Sequence, residues 1–338
     1  MRFPKIIIGV AALILVIYLV GPHPAKPNYN NVLPELPADA AGLEQYIAGM
    51  ESAHKIKPNN EARIVWANDT LKQKTRYAIV YLHGFSASQE EGNPVHRQIA
   101  SEFGCNLYLA RLSQHGIDTS DALMNMTAEN LWESAKQAYA IAKQLGDTII
   151  LMGTSTGGTL ALQLAAAYPE TGGLILYSPN IAINDPNAWL LNNPWGLQIA
   201  RTVKKSDYMV TAKDYPAYNQ NWNHIYRLEA TVQLQELLET TMLPATFKKI
   251  KQPVLMLYYY KDEQHQDPVV KVSAMKEMFA ALGTPENKKS MIPLPNAGGH
   301  VLASSIVSGD VAGVKKETSN FLKSVLHLTR LTPQVVSH

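Results

Sequence analysis

The sequence predicts an α/β fold built on a mostly parallel central sheet. Segments long enough for helices, such as residues 94–103 and 127–145, alternate with short apolar runs that are typical of strands buried on both faces. These runs are residues 77–82, 106–110, 148–152, 174–177 and 253–258. Because a strand–helix–strand unit normally forms a right-handed crossover, we expect parallel strands with helices flanking the sheet.

The remaining elements follow in order along the chain. A strand at residues 62–67 precedes the first buried run, and Thr127 begins a helix with a capping pattern. After residue 258 the sequence predicts a helix ending near residue 282, a last strand at residues 289–293 and a terminal helix from about residue 310 to 326. These elements complete the alternating pattern.

The regular alternation of predicted strands and helices is interrupted between about residues 180 and 250. This segment is rich in tryptophan and tyrosine, and its clearest helix covers residues 228–238. It predicts a helical insertion that could act as a lid over an apolar pocket. The alternative is that the aromatic side chains only pack the insertion against the core, and for any single one of them this is the better interpretation.

Composition and charge describe a globular protein. Of its 338 residues, 46% are hydrophobic and 17% are charged, which is compatible with a sizeable core. The net charge is +2 and basic residues occur only in pairs, which argues against a nucleic-acid surface. The single cysteine, Cys105, excludes an internal disulfide framework, and its apolar neighbours predict that it is buried.

The first 21 residues combine a positive flank with an apolar core. Arg2 and Lys5 precede an uninterrupted apolar run at residues 6–20, a pattern typical of a secretory signal peptide or a signal anchor. The run is short for a membrane span, and residues 21–25 form a poor cleavage site, so we expect an uncleaved membrane anchor rather than a cleaved signal. Either interpretation predicts an exported protein, with the anchored form on the outer side of the cytoplasmic membrane.

The rest of the chain divides into a linker and one large domain. Residues 22–38 contain five prolines and predict an extended linker. Helix-start chemistry at Asp39 marks the beginning of a folded domain that we place at residues 39–330.

The clearest motif is the glycine-flanked serine of residues 153–157, Gly-Thr-Ser-Thr-Gly, which lies between a strand and a helix. A serine on such a tight turn needs neighbours two residues away that lack bulk, and the turn lifts its Oγ clear of the sheet. Ser155 is therefore the candidate nucleophile. An ordinary turn is one alternative, and a phosphate-binding loop is excluded because Thr159 occupies the position of the required lysine.

A catalytic serine needs a base, and the base needs an acid. His300 is the best-placed base because Gly298 and Gly299 let its loop turn back over the sheet. The acid is Asp267 or Asp262, so the chain order is Ser, Asp, His.

The acidic loop has a second interpretation. Asp262, Glu263, His265 and Asp267 could be metal ligands, but no second histidine-bearing cluster supports this. We expect the carboxylates that are not catalytic to be solvated.

Two backbone N–H groups are candidates for an oxyanion hole. One is that of Thr156, directly after the nucleophile, and the other is that of Phe85, after an earlier strand end. His83 is expected to shape the turn rather than transfer protons.

In combination these motifs resemble the α/β-hydrolase superfamily, and its carboxylesterase and monoacylglycerol-lipase-like branch in particular. The resemblance covers roughly residues 75–327. The matching motifs lie at residues 82–85, 112–116, 153–158, 267–270 and 299–301. It implies a triad of Ser155, Asp267 and His300, an oxyanion hole from the Phe85 and Thr156 amides, and a helical lid between strands six and seven.

Two positions depart from the pattern of that branch. Threonines flank Ser155 where an apolar residue is more usual, and Gln114 replaces a glycine. Neither change affects the triad, but both bear on the substrate.

The function that follows is hydrolysis of carboxylic esters, of acyl or lipid-like substrates, through an acyl-enzyme intermediate. Thioesterase, amidase and acyltransferase chemistry use the same triad and stay open. Relatives with an aspartate nucleophile, such as dehalogenases and epoxide hydrolases, are disfavoured by Ser155. A non-catalytic, membrane-tethered binding protein is the alternative from another class. The sequence contains no cofactor signal.

Overall fold

A computed structural model describes residues 3–331 and places a seven-stranded sheet at the centre of the molecule. The strands, numbered along the chain together with a two-stranded hairpin, are β1 Arg63–Val65, β2 Thr75–Leu82, β3 Asn106–Leu109, β4 Gly146–Thr154, β5 Gly173–Tyr177, β6 Tyr208–Val210, β7 Ile225–Arg227, β8 Val254–Tyr258 and β9 Lys289–Pro293. The main sheet has the order β1-β3-β2-β4-β5-β8-β9. All its pairs are parallel except β1 with β3, so the predicted, mostly parallel sheet is confirmed.

Helices connect these strands and cover both faces of the sheet. They are α1 Phe3–Leu19, α2 Ala40–Ser52, α3 Val95–Phe103, α4 Ala128–Leu145, α5 Thr156–Ala167, α6 Gly196–Lys204, α7 Pro216–Asn221, α8 Leu228–Thr241, α9 Pro244–Lys249, α10 Val272–Ala281 and α11 Val311–Ser324. Helix α4 begins as its sequence predicts, because Thr127 Oγ1 accepts the Asn130 N–H and Asn130 Oδ1 accepts the Thr127 N–H.

The core has two layers because side chains alternate between the faces of each strand. One layer packs side chains such as Val80 and Leu151 under α4 and α5. The other packs Ile79 and Ile150 under α3 and α11, and it includes the free, buried Cys105 that the sequence predicts. With both faces covered, the strands read as continuous apolar runs.

The predicted start of the strand before Ser155 is wrong by two residues. We expected Gly146 and Asp147 to separate α4 from the next strand, but β4 already begins at Gly146. Gly146 pairs with Thr75 of β2, and a Cβ there would come within 2.5 Å of the Ala78 backbone nitrogen. The glycine is needed for this close approach of two strands.

The aromatic-rich insertion lies between β5 and β8. It contains α6 to α9 as predicted, and also the hairpin of β6 and β7. Since the main sheet has seven strands within the described residues, the insertion follows the fifth strand, one place earlier than the resemblance implied. Helix α8 packs against α4 and α5, which fixes this part of the insertion to the body.

The N-terminal segment forms helix α1, and Trp195 of the insertion contacts its end. The Trp195 indole donates to the Ile17 carbonyl at 2.9 Å, and the Trp195 N–H donates to the Pro22 carbonyl at 2.9 Å. None of the helices within residues 3–331 is both long and apolar enough to cross a membrane, so the predicted anchor gains no support from the structure. Arg2, part of the predicted positive flank, lies outside the described residues.

Residues 22–38 have no regular secondary structure and run along the body of the domain. Trp132 of α4 donates its indole N–H to the Asn30 carbonyl at 2.7 Å. Lys136, also of α4, donates to Asn30 Oδ1 at 2.6 Å and to the Val32 carbonyl at 3.1 Å. Tyr29 packs against the core, and its hydroxyl lies 2.8 Å from that of Thr240 in α8.

Candidate active site

Ser155 occupies a strained turn between β4 and α5. Its φ of 53° and ψ of −118° lie outside the regions that L-residues usually adopt. The strain is sterically enforced, since a Cβ at Gly157 would lie 1.9 Å from the Leu82 carbonyl oxygen and one at Gly153 would lie 2.5 Å from the Gly157 backbone. The sequence-based argument that these two neighbours must lack bulk is therefore confirmed.

We expect Gly157→Ala to destabilise the fold severely, by about 3 kcal/mol or more, because backbone atoms cannot move aside as a flexible side chain can. Gly49 provides a matched control. It lies within α2 with open space around its missing Cβ, so Gly49→Ala should stabilise the protein by up to about 1 kcal/mol. Urea denaturation of both variants measures the two effects, and equal stability of Gly157→Ala and the parent would contradict the steric argument.

Thr154 has a structural role that the sequence did not reveal. Its hydroxyl lies 2.9 Å from the Tyr81 hydroxyl, and both side chains are buried. A buried tyrosine hydroxyl needs a partner, which an apolar residue before the nucleophile could not supply. The unusual threonine at this position is thus explained by packing inside the sheet.

His300 and Asp267 are brought together beyond the ends of β8 and β9. His300 Nδ1 lies 2.7 Å from Asp267 Oδ2, and the two side chains are 12% and 0% exposed. The other oxygen of Asp267 accepts the backbone N–H groups of Val269 and Val270. Gly298 has a φ of 75°, which permits the turn that returns His300 to the sheet.

The pKa shifts of this pair reflect their mutual attraction. Burial raises the pKa of Asp267, but His300 and the two backbone donors outweigh it and the net shift is downward. Burial lowers the pKa of His300, but Asp267, with a smaller contribution from Glu91, raises it above its usual value. The pair therefore favours an imidazolium held by a carboxylate.

Asp262 is not brought to His300. The Tyr259 carbonyl accepts the Asp267 N–H, so residues 260–266 form an excursion with Asp262 near its tip. Asp262 is about half exposed and contacts His265 Nδ1 at 2.8 Å. Within residues 3–331 there is also no cluster of three or more metal-ligating side chains, and both oxygens of Asp267 are occupied by His300 and by backbone N–H groups.

The two oxyanion candidates follow the ends of two neighbouring strands at matching positions. Leu82 of β2 pairs with Gly153 of β4, and Phe85 and Thr156 each lie three residues further on. Among the described residues the Phe85 N–H has no acceptor within the protein. Thr156 is the first residue of α5, where helix geometry leaves the N–H without an intrahelical acceptor.

His83 shapes the turn that carries Phe85. Its Nε2 accepts the Leu112 N–H at 3.0 Å, which leaves Nδ1 as the donor to the Gly84 carbonyl at 2.9 Å. Complete burial lowers its pKa well below the usual value, so it stays neutral. Both ring nitrogens are occupied by these structural contacts.

No hydrogen bond joins Ser155 to His300 among the described residues. The Ser155 side chain is 5% exposed, and within residues 3–331 its hydroxyl has no hydrogen bond to the imidazole. Such bonds are often long without substrate and shorten when it binds.

An apolar cluster lies beside these groups and joins three parts of the chain. Ala87 follows the Phe85 turn, Tyr218 and Trp222 come from the insertion, and Val301 follows His300. The two aromatic rings stack with centroids 4.8 Å apart. The side chains that adjoin Phe85 and His300 along the chain are therefore apolar and largely buried.

The structure also has a cleft of about 700 Å³ away from these groups, between residues 22–38, α2 and α4. Its lining includes Glu51, Arg111 and Lys136, which are held in ion pairs. None of the three triad candidates lines it, so its size does not make it the site of the chemistry.

Glu91 is a buried acidic residue near Ser155 that sequence analysis missed. It is 2% exposed and accepts the Gly84 N–H. It stands in the polar run of residues 89–92, where nothing in the sequence distinguishes it from its neighbour Glu90.

The fold and the geometry of the site together define an α/β-hydrolase, an enzyme of the serine hydrolase class. A family model described as "Hydrolase_4: Serine aminopeptidase, S33" matches residues 73–296, about two thirds of the chain. The chain therefore belongs to this family.

Individual relatives agree with this assignment. A thermostable monoacylglycerol lipase from Bacillus sp. (strain H-257) is 33% identical over 98 residues, which span 29% of this chain and 38% of the lipase. Among solved structures, one from a study of the metagenome-derived lipolytic enzymes LipS and LipT superposes on this chain with a TM-score of 0.62. The match covers 79% of this chain and 99% of that one. The structure of Est1E from Butyrivibrio proteoclasticus with bound ferulic acid superposes with a TM-score of 0.53. This match covers 79% of this chain and 95% of Est1E. Both structures are 17% identical to this chain, so they show the fold.

Proposed function

We propose that the protein hydrolyses carboxylic esters with an apolar acyl group, using Ser155 as nucleophile, His300 as base and Asp267 as the acid that orients it. The observation that carries the proposal is the contact of 2.7 Å between His300 and Asp267, in a fold whose parallel sheet also presents Ser155 on a strained elbow at the end of β4. A hydroxyl is a weak nucleophile unless a base removes its proton, and the neighbouring carboxylate stabilises the imidazolium that forms.

The chemistry would proceed in two steps. Ser155 Oγ attacks the ester carbonyl while His300 takes its proton, and the oxyanion is stabilised by the N–H groups of Phe85 and Thr156. His300 then protonates the leaving alcohol, and a water molecule activated by the same imidazole releases the acid from the acyl-enzyme. No other group is needed to balance these steps.

The apolar cluster supports an acyl substrate over a polar one. Ala87, Val301 and the stacked rings of Tyr218 and Trp222 provide an aliphatic and aromatic surface beside the triad. Burial of a hydrocarbon chain against such a surface contributes about 0.8 kcal/mol for each methylene group. The monoacylglycerol lipase among the relatives points to the same class of substrate.

The family description favours one second candidate, the release of an N-terminal amino acid from a peptide. An amidase uses the same three residues, so the difference lies in the substrate pocket. Aminopeptidase action also requires a group that binds the free amine of the substrate.

A substrate screen tests the proposal. We expect turnover of p-nitrophenyl esters to rise with acyl length from acetate until the pocket is filled, and aminoacyl p-nitroanilides to be cleaved much more slowly. Faster cleavage of the anilides would make the protein an aminopeptidase. Failure of a fluorophosphonate probe to label it would instead favour a binding protein without catalytic activity.

We also propose, from the sequence alone, that the N-terminal segment directs export to the outer side of the cytoplasmic membrane. The supporting pattern is the positive flank followed by the apolar run of residues 6–20. Carbonate extraction of membranes, with mass spectrometry of the N-terminus, separates an anchored chain from a cleaved one. Recovery of the intact chain in the cytoplasmic fraction would contradict export.

A further inference from the structure

Glu91 is a buried acidic residue that the proposed chemistry does not use. It lies in a short 3₁₀ turn at Gln89–Gly92, and its Oε2 accepts the backbone N–H of Gly84 at 2.5 Å. Gly84 directly precedes Phe85, the candidate oxyanion donor. The carboxyl group therefore holds the turn on which the oxyanion hole depends.

The same carboxyl group lies next to the nucleophile. A Cβ built on Gly84 would lie 2.9 Å from each oxygen of Glu91 and 3.1 Å from the Ser155 Cβ. Glu91 and Ser155 thus both lie against Gly84 and are the nearest side chains to the position of its missing Cβ. A negative charge on Glu91 would therefore interact strongly with the developing oxyanion, because the distance is short and little water lies between them to screen the interaction.

Three ionisable groups near Glu91 come from three other parts of the chain. They are Tyr81 of β2, Tyr218 of α7 and His300 of the loop after β9. Burial raises the pKa of both tyrosines, that of Tyr218 to about 12, so they are neutral. Lys213 of the insertion acts on His300 and slightly lowers its pKa. His300 is the one group whose charge changes together with that of Glu91.

Glu91 stays protonated well above the pH at which an exposed carboxyl group ionises. Burial raises its pKa from 4.5 to about 7, although the Gly84 N–H, His300 and the nearby Trp222 indole each lower it. The direction follows from geometry, because the carboxyl group is 2% exposed and has no cationic lysine or arginine against it within the described residues.

We propose that Glu91 is a positioning residue of this active site that works in its protonated form, fixing the Gly84–Phe85 turn without placing a second negative charge beside Ser155 and His300. This inference rests on the proposed function. The negative charge of an ionised Glu91 would repel the oxyanion. It would also favour the protonated form of His300, which cannot accept the proton of Ser155.

The test is the rate of fluorophosphonate labelling of Ser155 as a function of pH, in the full chain and in Glu91→Gln. Labelling needs the nucleophile, the base and the oxyanion hole but no ester substrate. The parent rate should rise as His300 loses its proton and fall above about pH 7 as Glu91 ionises. In Glu91→Gln, whose amide oxygen can still accept the Gly84 N–H, the fall should vanish and the rise should move to lower pH.

Two further variants separate this effect from a general disturbance. Glu90 is the adjacent residue of the same turn and is only half-buried, so Glu90→Gln should reproduce the parent profile. Trp222→Phe keeps an aromatic ring against Tyr218 but removes the indole N–H that lowers the pKa of Glu91. In Trp222→Phe the fall in labelling rate at alkaline pH should therefore begin at a higher pH.

Stability provides a readout that is independent of activity. A carboxyl whose pKa is raised on folding makes the folded state less stable as pH rises from its unfolded value to its folded value. The urea midpoint of the parent should therefore fall relative to that of Glu91→Gln between pH 4.5 and about 7.

The outcomes distinguish this inference from the proposed function. An unchanged labelling profile in Glu91→Gln, or a loss of labelling at every pH with the fold intact, would overturn the inference. Labelling that follows the expected profiles while no ester is hydrolysed would support the role of Glu91 and overturn the ester substrate.

Discussion

Ser155→Ala should abolish fluorophosphonate labelling and lower kcat for the best p-nitrophenyl ester by about 10⁵- to 10⁶-fold, the loss typical of removing the nucleophile of a serine triad. The side chain is small and 5% exposed, and alanine can adopt the same backbone angles at the same cost as serine. Folding should therefore be preserved, and substrate binding should change little. The measurements are intact-protein mass spectrometry after labelling and steady-state kinetics.

Ser178 offers a closely matched control for this experiment. It follows the end of the neighbouring strand β5, is completely buried and has a φ of 42°. Within the described residues its hydroxyl has no hydrogen-bond partner, so Ser178→Ala removes a hydroxyl without breaking a contact. This variant should keep full labelling and activity. Normal turnover by Ser155→Ala would show that another residue is the nucleophile.

Asp267→Asn should lower kcat by about 10⁴-fold, because an amide beside His300 Nδ1 stabilises the wrong tautomer and cannot stabilise the imidazolium. The amide can still accept the Val269 and Val270 N–H groups through Oδ1, so the loop should keep its conformation. The chemical step should suffer more than binding. We expect kcat to fall while KM stays within a few-fold of the parent.

Asp262→Asn is the matching control, since it makes the same change in the same loop. Asp262 is exposed and contacts His265, and exposed contacts of this kind contribute little to stability because water screens them. Its activity should stay within about twofold of the parent. A large loss in Asp262→Asn together with an active Asp267→Asn would show that the loop rearranges and that the acid is Asp262.

Local sequence was enough to predict the strands and the elbow. A strand buried on both faces must be apolar along its whole length, and the run at residues 148–152 predicts β4 for that reason. The glycines two residues before and after Ser155 reflect contacts of under 3 Å that any side chain would make. Although Gly157 meets Leu82 of a neighbouring strand, both constraints fall at a fixed spacing from Ser155, so they leave a pattern in the sequence.

Contacts between distant segments left no such pattern. The choice between Asp262 and Asp267 depends on how residues 260–266 fold back on Tyr259, and the sequence shows two acids at plausible distances. The role of Thr154 depends on Tyr81, a residue more than 70 positions earlier.

The sequence by itself determined the α/β class, the position of the candidate nucleophile and the chain order of the three candidate residues, because the steric limits of the elbow and the apolar strands each leave a short pattern in the sequence. Only the tertiary structure decided that Asp267 meets His300 and that Glu91, rather than Glu90, is buried beside Gly84. Both outcomes depend on which side chains lose water when separate strands and loops pack together. Desolvation of that kind is a property of the folded arrangement and has no signature in the order of residues along the chain.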